Sequence, residues 1–190
     1  MVGDMMNIMI ILCLLVALIG IILIVLILNY NKIQWLIIKI NKAEKNIYSH
    51  LEEKFNILSR YIEILKENIE LNDDIDEYKL LNTKLSINSL NKKINNFNNI
   101  INQYMDNNEK LIKKEAIIGI NKELNEVNIL INGDKKYYNE NVILYNHFCH
   151  KFPSIIVAKI FNYKDKDFLE ENTNENLKIL NDNIDDENKD

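Results

Sequence analysis

The sequence predicts an all-α protein: a single N-terminal transmembrane helix continuing into a bundle of three long helices plus a short C-terminal helix. Three observations predict it. The chain from Ile8 to Leu28 carries no charged side chain. Beyond it, apolar residues recur at alternating spacings of three and four, which marks one face of a helix. The 190 residues hold only 1 Pro and 4 Gly, too little punctuation for a strand-and-turn fold.

The anchor comes first, after a short tail over 1–7. Residues 8–28 include Ile8, Leu12, Leu15, Ile19, Ile22, Leu26 and Leu28. As a helix they span roughly 31 Å, close to the roughly 30 Å hydrocarbon core of a bilayer. A helix suits that setting because it satisfies its own backbone groups where no water can. A cleaved signal peptide would need a basic leader and small residues at its exit. Asp4 is the only charge before the run, and the exit reads Leu28-Asn29-Tyr30. Leu12 before Cys13 likewise argues against a lipoprotein site. The segment is expected to stay in the protein. Lys32, Lys39, Lys42 and Lys45 follow it, and no basic side chain precedes it. That bias predicts an N-terminus outside the cell membrane and a cytoplasmic bulk.

A helical region over 29–169 is expected next. One stripe reads Ile33, Ile37, Ile40, Ile47, Leu51, Phe55, Leu58, Ile62, Leu65 and Ile69, in coiled-coil-like alternation with a gap near Glu44. Nothing breaks it before Leu71, so a continuous helix from Ile8 would be roughly 95 Å long. Asn72-Asp73-Asp74 should end it, with Asp73, Asp74 and Asp76 capping and solvating the turn. A second helix follows Tyr78, Leu81 and Leu85, and then more clearly Ile87, Leu90, Ile94, Phe97, Ile101 and Tyr104. The turn at Asp106-Asn107-Asn108 leads to a third helix, from about Glu109 to His150. Its stripe is Ile117, Ile120, Leu124, Val127, Ile131, Tyr138, Tyr145, Phe148 and Phe152. Gly133 weakens it by about 1 kcal/mol relative to Ala, or allows a close helix contact. Pro153 ends it, and Ser154 is placed to cap a short helix over Ile155 to Phe161. The acidic, Asn-rich stretch 170–190 is too poor in apolar residues to offset its ordering entropy and reads as a disordered tail.

Composition narrows the function. The net charge is −5 without a basic stripe, so no nucleic-acid partner is expected. The 2 cysteines, Cys13 and Cys149, make a poor disulfide pair. Asn fills roughly one position in six, several-fold above ordinary usage, and with so much Ile and Lys this points to AT-rich coding.

The end of the third helix carries the most specific pattern. Tyr138-Asn139, Tyr145-Asn146, Phe152-Pro153-Ser154, Ala158, Phe161, Tyr163 and Phe168 resemble the LemA family of bacterial membrane proteins. Glu123-Leu124, Glu126 and Lys135-Lys136 fit the same pattern upstream. Tyr30-Asn31, Ala43, Ile47, Leu51, Ile57-Leu58, Glu63 and Lys66 fit it near the anchor. The resemblance covers roughly Tyr30 to Phe168. It implies an anchor followed by an antiparallel bundle, and it brings no catalytic residue, since the family has no agreed enzymatic activity. The chain departs from the family at Glu44, where a Trp is usual, at Glu53-Lys54, where a basic pair is usual, and at Ser59, where a Pro is frequent.

Two groups of residues invite a functional reading beside a plainer one. His147, Cys149 and His150 contain metal-ligating types, but Cys149 points away from the i, i+3 pair of histidines, and His50 is the only other His. Packing and surface roles are preferred, and no metal or cofactor is expected. The aromatic run from Tyr137 to Phe168 reads as a recognition surface, a membrane-facing rim, or core; its overlap with the stripe favours core. No phosphate loop or metallopeptidase signature occurs, so no catalytic residue is expected. The chain therefore reads as a non-enzymatic scaffold in the lipid bilayer, meeting protein partners or copies of itself through helix faces. The alternative is an accessory subunit regulating a membrane enzyme such as a metallopeptidase, because some relatives are encoded near membrane metallopeptidases.

Overall fold

The apolar run and the stripe that follows it form one uninterrupted helix, α1 (Val2–Lys66), with no Pro and only Gly3 and Gly20 inside it. The computed structural model describes residues 2–67, 85–108 and 115–169. Among them are three more helices, α2 (Ile87–Asp106), α3 (Glu115–His150) and α4 (Ser154–Ile160), and no strand. The expected caps Asp73, Asp74 and Asp76, the stripe positions Ile69, Tyr78 and Leu81, and the tail 170–190 lie outside the described residues.

Local chemistry sets the ends. Helical conformation begins at Val2, so the stretch before Ile8 is already helical. α2 begins later than its apolar spacing suggests, because Ser86 adopts extended backbone and its hydroxyl accepts from Ser89 N–H at 3.3 Å. Leu85 therefore precedes the helix. At the other end the predicted turn is present. The side-chain amides of Asn107 and Asn108 donate to the carbonyls of Gln103 and Tyr104 at 3.0 and 2.9 Å, adding to the bond that Gln103 C=O accepts from Asn107 N–H at 3.4 Å.

The chain divides into two compact units. The first draws on Met1–Ile40 and Asn141–Asp167. In it, α1 changes character along its length. Its large apolar side chains from Met5 to Leu28 are almost all exposed, and a segment of the helix is long and apolar enough to cross a membrane. Ile33, Leu36 and Ile40 are then fully buried, as are Val142 and Tyr145 of α3 and Val157 of α4.

The second unit draws on Asn41–Glu140 and Phe168–Asp190. Its core joins Ile47, Leu51, Leu58 and Leu65 of α1 to Leu90, Ile94, Phe97 and Ile101 of α2 and to Ile117, Leu124 and Val127 of α3. Burying each of these side chains is worth about 1.5–3 kcal/mol. Phe55 and Phe97 meet with ring centroids 5.9 Å apart. The stripe is wider than the strict three-four spacing, since Ala43, Ile57 and Tyr61 are also buried. Lys54 is buried too, and its ammonium donates to Asn95 Oδ1 at 2.8 Å, which offsets part of its desolvation. Arg60 pairs with Glu123, and His50 meets Asp134 at 2.8 Å.

Two expectations about α3 are corrected. Gly133 is exposed, and a Cβ there would meet nothing within 4 Å, so among the described residues it serves no close helix contact. The stripe also ends before Phe152. The buried series runs on through Val142, Tyr145 and Cys149, leaving Phe148 half-covered and Phe152 77% exposed.

Candidate functional site

Three residues of the family-like motif, Asn139, Tyr145 and Asn146, act as backbone clasps. Asn146, in the first unit, donates from Nδ2 to Lys166 C=O at 2.9 Å and accepts at Oδ1 from Lys166 N–H at 2.9 Å. A carboxamide matches both main-chain groups of one residue, and neither Asp nor Leu could do so. Asn139, in the second unit, grips Leu169 in the same way, at 3.2 and 2.9 Å, in a buried setting. Tyr145 adds a third hold, its hydroxyl donating to Lys164 C=O at 3.0 Å.

The corner after α3 is closed by polar groups. The Phe152–Pro153 peptide is cis. Ser154 was expected as the cap of α4, but Pro153 occupies that position without a side-chain hydrogen bond. Ser154 is instead the first helical residue. It is buried, and its hydroxyl is shared between the carbonyls of Phe148 and Lys151 at the end of α3. α4 then stops in a Schellman motif. Asn162 takes φ 52°, the left-handed region that Asn tolerates better than most side chains. Asn162 N–H donates to Lys159 C=O at 3.3 Å and Tyr163 N–H to Ala158 C=O at 2.9 Å. That reversal brings Tyr163 to Gln34 of α1, whose amide donates to the phenol oxygen.

Burial governs the ionisable groups here. It pushes the Tyr145 phenol well above its ordinary value, with the neighbouring Cys149 adding to the effect. Burial raises the Cys149 thiol as well, and the hydrogen bond with Tyr145 opposes this in part. Tyr163 is raised by burial and lowered in part by Gln34. A thiol held neutral is a poor nucleophile and a poor metal ligand. His150 turns to Asp165 at 2.9 Å, and His147 is exposed. Among the described residues, no group of three or more His, Cys, Asp or Glu is placed to hold a metal ion. Cys13 and Cys149 are both free thiols.

The structure places the other motif residues unevenly. Tyr138 is half-buried against the second unit's core, while Phe161 and Phe168 are exposed. Phe161 nevertheless stacks on other rings, 4.8 Å from Tyr30 and 6.0 Å from Tyr163. Sequence reasoning missed Gln34, Lys164 and Lys166 as partners. Gln34 is a polar residue on the apolar side of α1, a signal that could have been read; backbone acceptors leave none.

Among the described residues there are four helices and no strand, and one segment is long and apolar enough to cross a membrane, so the class is an all-helical protein. Within it the chain belongs to the LemA family, whose model matches residues 44–180. The match starts later than the resemblance at Tyr30 and runs past Phe168. No similar protein is found among curated proteins or solved structures.

Proposed function

We propose that this chain is a single-pass, membrane-anchored helical scaffold at the cytoplasmic face, without catalytic activity of its own. The observation that carries the reading is the change along α1. The helix is bare and apolar from Met5 to Leu28, then has a fully buried face from Ile33 onward. A bare apolar surface of that length is costly in water and favourable in lipid. Lys32, Lys39, Lys42 and Lys45 just after it favour the side that the positive-inside rule assigns to the cytoplasm. Beyond the anchor, the pairs Arg60–Glu123 and His50–Asp134 support an antiparallel arrangement of α1 and α3, since one number rises as the other falls.

Partners would meet exposed helix faces. Ile118 and Ile129 of α3 are 58% and 61% exposed, and a spacing of eleven residues puts them on the same side of a helix. Protein partners or a second copy of the chain are the occupants this reading expects.

The test is affinity capture from mild detergent with the full chain, alongside Ile118→Asp/Ile129→Asp. The scaffold reading expects a defined protein partner, or self-association, that the double variant weakens. Capture of nothing, with the chain monomeric at all concentrations, would contradict it. Deletion strains separate the accessory-subunit alternative, because loss of a regulator changes a membrane enzyme's turnover, whereas loss of a scaffold changes envelope organisation.

A further inference from the structure

α4 leaves its own apolar face uncovered. Val157 and Ala158 are buried, but Phe152, Ile156 and Ile160 are 77%, 42% and 64% exposed. Ile156 and Ile160 are four residues apart on one side of α4, and Phe152 lies in the corner just before it. Phe161, 53% exposed, extends the bare surface at the helix end. Exposed Lys151 and Lys159 flank it.

The position of this face names its occupant. Phe161 packs on Tyr30, which lies two residues past Leu28 and the end of the apolar run. Trp35 reinforces the point. It is 45% exposed, with the ammonium groups of Lys32 and Lys39 at 4.3 and 3.6 Å from its ring centroid. An amphipathic ring among lysines is the side-chain chemistry of the headgroup layer. A short helix with an apolar face and a basic rim, whose C-cap ring Phe161 packs just past the end of a membrane span, is placed to lie in that layer.

We infer that α4 is a second membrane contact: Phe152, Ile156, Ile160 and Phe161 enter the interfacial layer of the bilayer that α1 crosses, with Lys151 and Lys159 toward anionic headgroups. This rests on the membrane-span reading of α1. The anchor alone leaves the rest of the chain free to tilt about the exit of α1; a second contact beside that exit fixes its attitude to the surface. The Ser154 hydroxyl and the Schellman ending of α4 then hold the apolar face in one orientation.

Site-directed fluorescence on the full chain tests it. Trp35 is the single tryptophan, so a Trp35→Phe background accepts one reporter at a time. Three reporters are needed: Ile160→Trp on α4, Leu15→Trp in the anchor, and Ile129→Trp on an exposed part of α3 as the reference. Each is reconstituted into vesicles of three parts phosphatidylcholine to one part phosphatidylglycerol, with and without bromine on the acyl chains. The expected result is quenching of Ile160→Trp at least about twofold above Ile129→Trp, and strongest with bromine nearest the headgroup, as for a side chain at the headgroup–acyl boundary. Leu15→Trp should be quenched best by bromine deep in the chain. Ile160→Trp quenched no more than Ile129→Trp, while Leu15→Trp is quenched, would overturn the inference and leave the anchor standing. A blue-shifted but unquenched Ile160→Trp would overturn it in favour of a protein on this face. If Leu15→Trp is also unquenched, the membrane span fails and α4 has no bilayer to meet.

Discussion

α2 and α4 both present apolar residues at helical spacing and end in opposite states. In α2 the series Ile87, Leu90, Ile94, Phe97 and Ile101 is buried against α1 and α3. In α4 and the corner before it, Phe152, Ile156 and Ile160 stay bare. Periodicity reports that a face wants cover; it does not say whether protein or lipid supplies it. The deciding information is what lies near each helix. α2 has two long helices beside it, and α4 has the residues just past an apolar span.

The comparison can be broken most directly by trimming one residue from each stripe. Phe97→Ala should destabilise the second unit by about 3–5 kcal/mol, as for other buried aromatics. Ile160→Ala, measured in the same detergent by denaturant unfolding, should fall within about 0.5 kcal/mol of the parent. Equal effects would mean that α4 has a protein partner within the chain.

A smaller effect sharpens the role of the clasps. Asn139→Ala removes both hydrogen bonds to Leu169 and leaves buried backbone groups unmatched, a cost of about 1–3 kcal/mol. Asn139→Asp should not rescue it, because a carboxylate cannot donate to the Leu169 carbonyl. Hydrogen exchange at the Leu169 amide reads the loss locally.

Alkaline pH should then distinguish the units by rate of loosening. Tyr145, Cys149 and Tyr163 of the first unit all have folded-state values raised by burial, and Tyr61 is the counterpart in the second. A raised value favours the neutral form in the folded chain. Its contribution is therefore full below the ordinary values of 9.0 for the thiol and 10.0 for the phenols, and is lost as pH climbs above them. Hydrogen exchange stepped upward from pH 8 should lose protection around Tyr145 before α2, and Cys149→Ala should delay the first part of that loss.

The smallest expected change is a gain. Gly133→Ala places a methyl in open space on an exposed helical site and should stabilise by about 0.5–1 kcal/mol. A loss at thermal melting would mean that a partner packs there.

Much of this fold is legible in the sequence, for a physical reason. Long stripes such as Ile33 to Leu65 and Leu90 to Ile101 repeat one signal many times, so a single error cannot hide them. Leu85 fits the α2 stripe, yet it precedes the helix, because Ser86 takes the capping geometry there. The corner was harder. Ser154 has the chemistry of a cap, yet carbonyls left open at the end of α3 compete for its hydroxyl. Phe152 fits the α3 stripe only if the helix continues, and it stops at His150. The asparagine clasps were visible as a motif, but their targets are backbone groups, which every residue offers.

The whole account depends on α1 remaining in the bilayer. Alkaline carbonate extraction of native membranes, with intact-mass analysis of the recovered chain, tests this directly. The account predicts a membrane-retained polypeptide whose mass includes Ile8 to Leu28. A carbonate-soluble chain beginning near Tyr30 would contradict it.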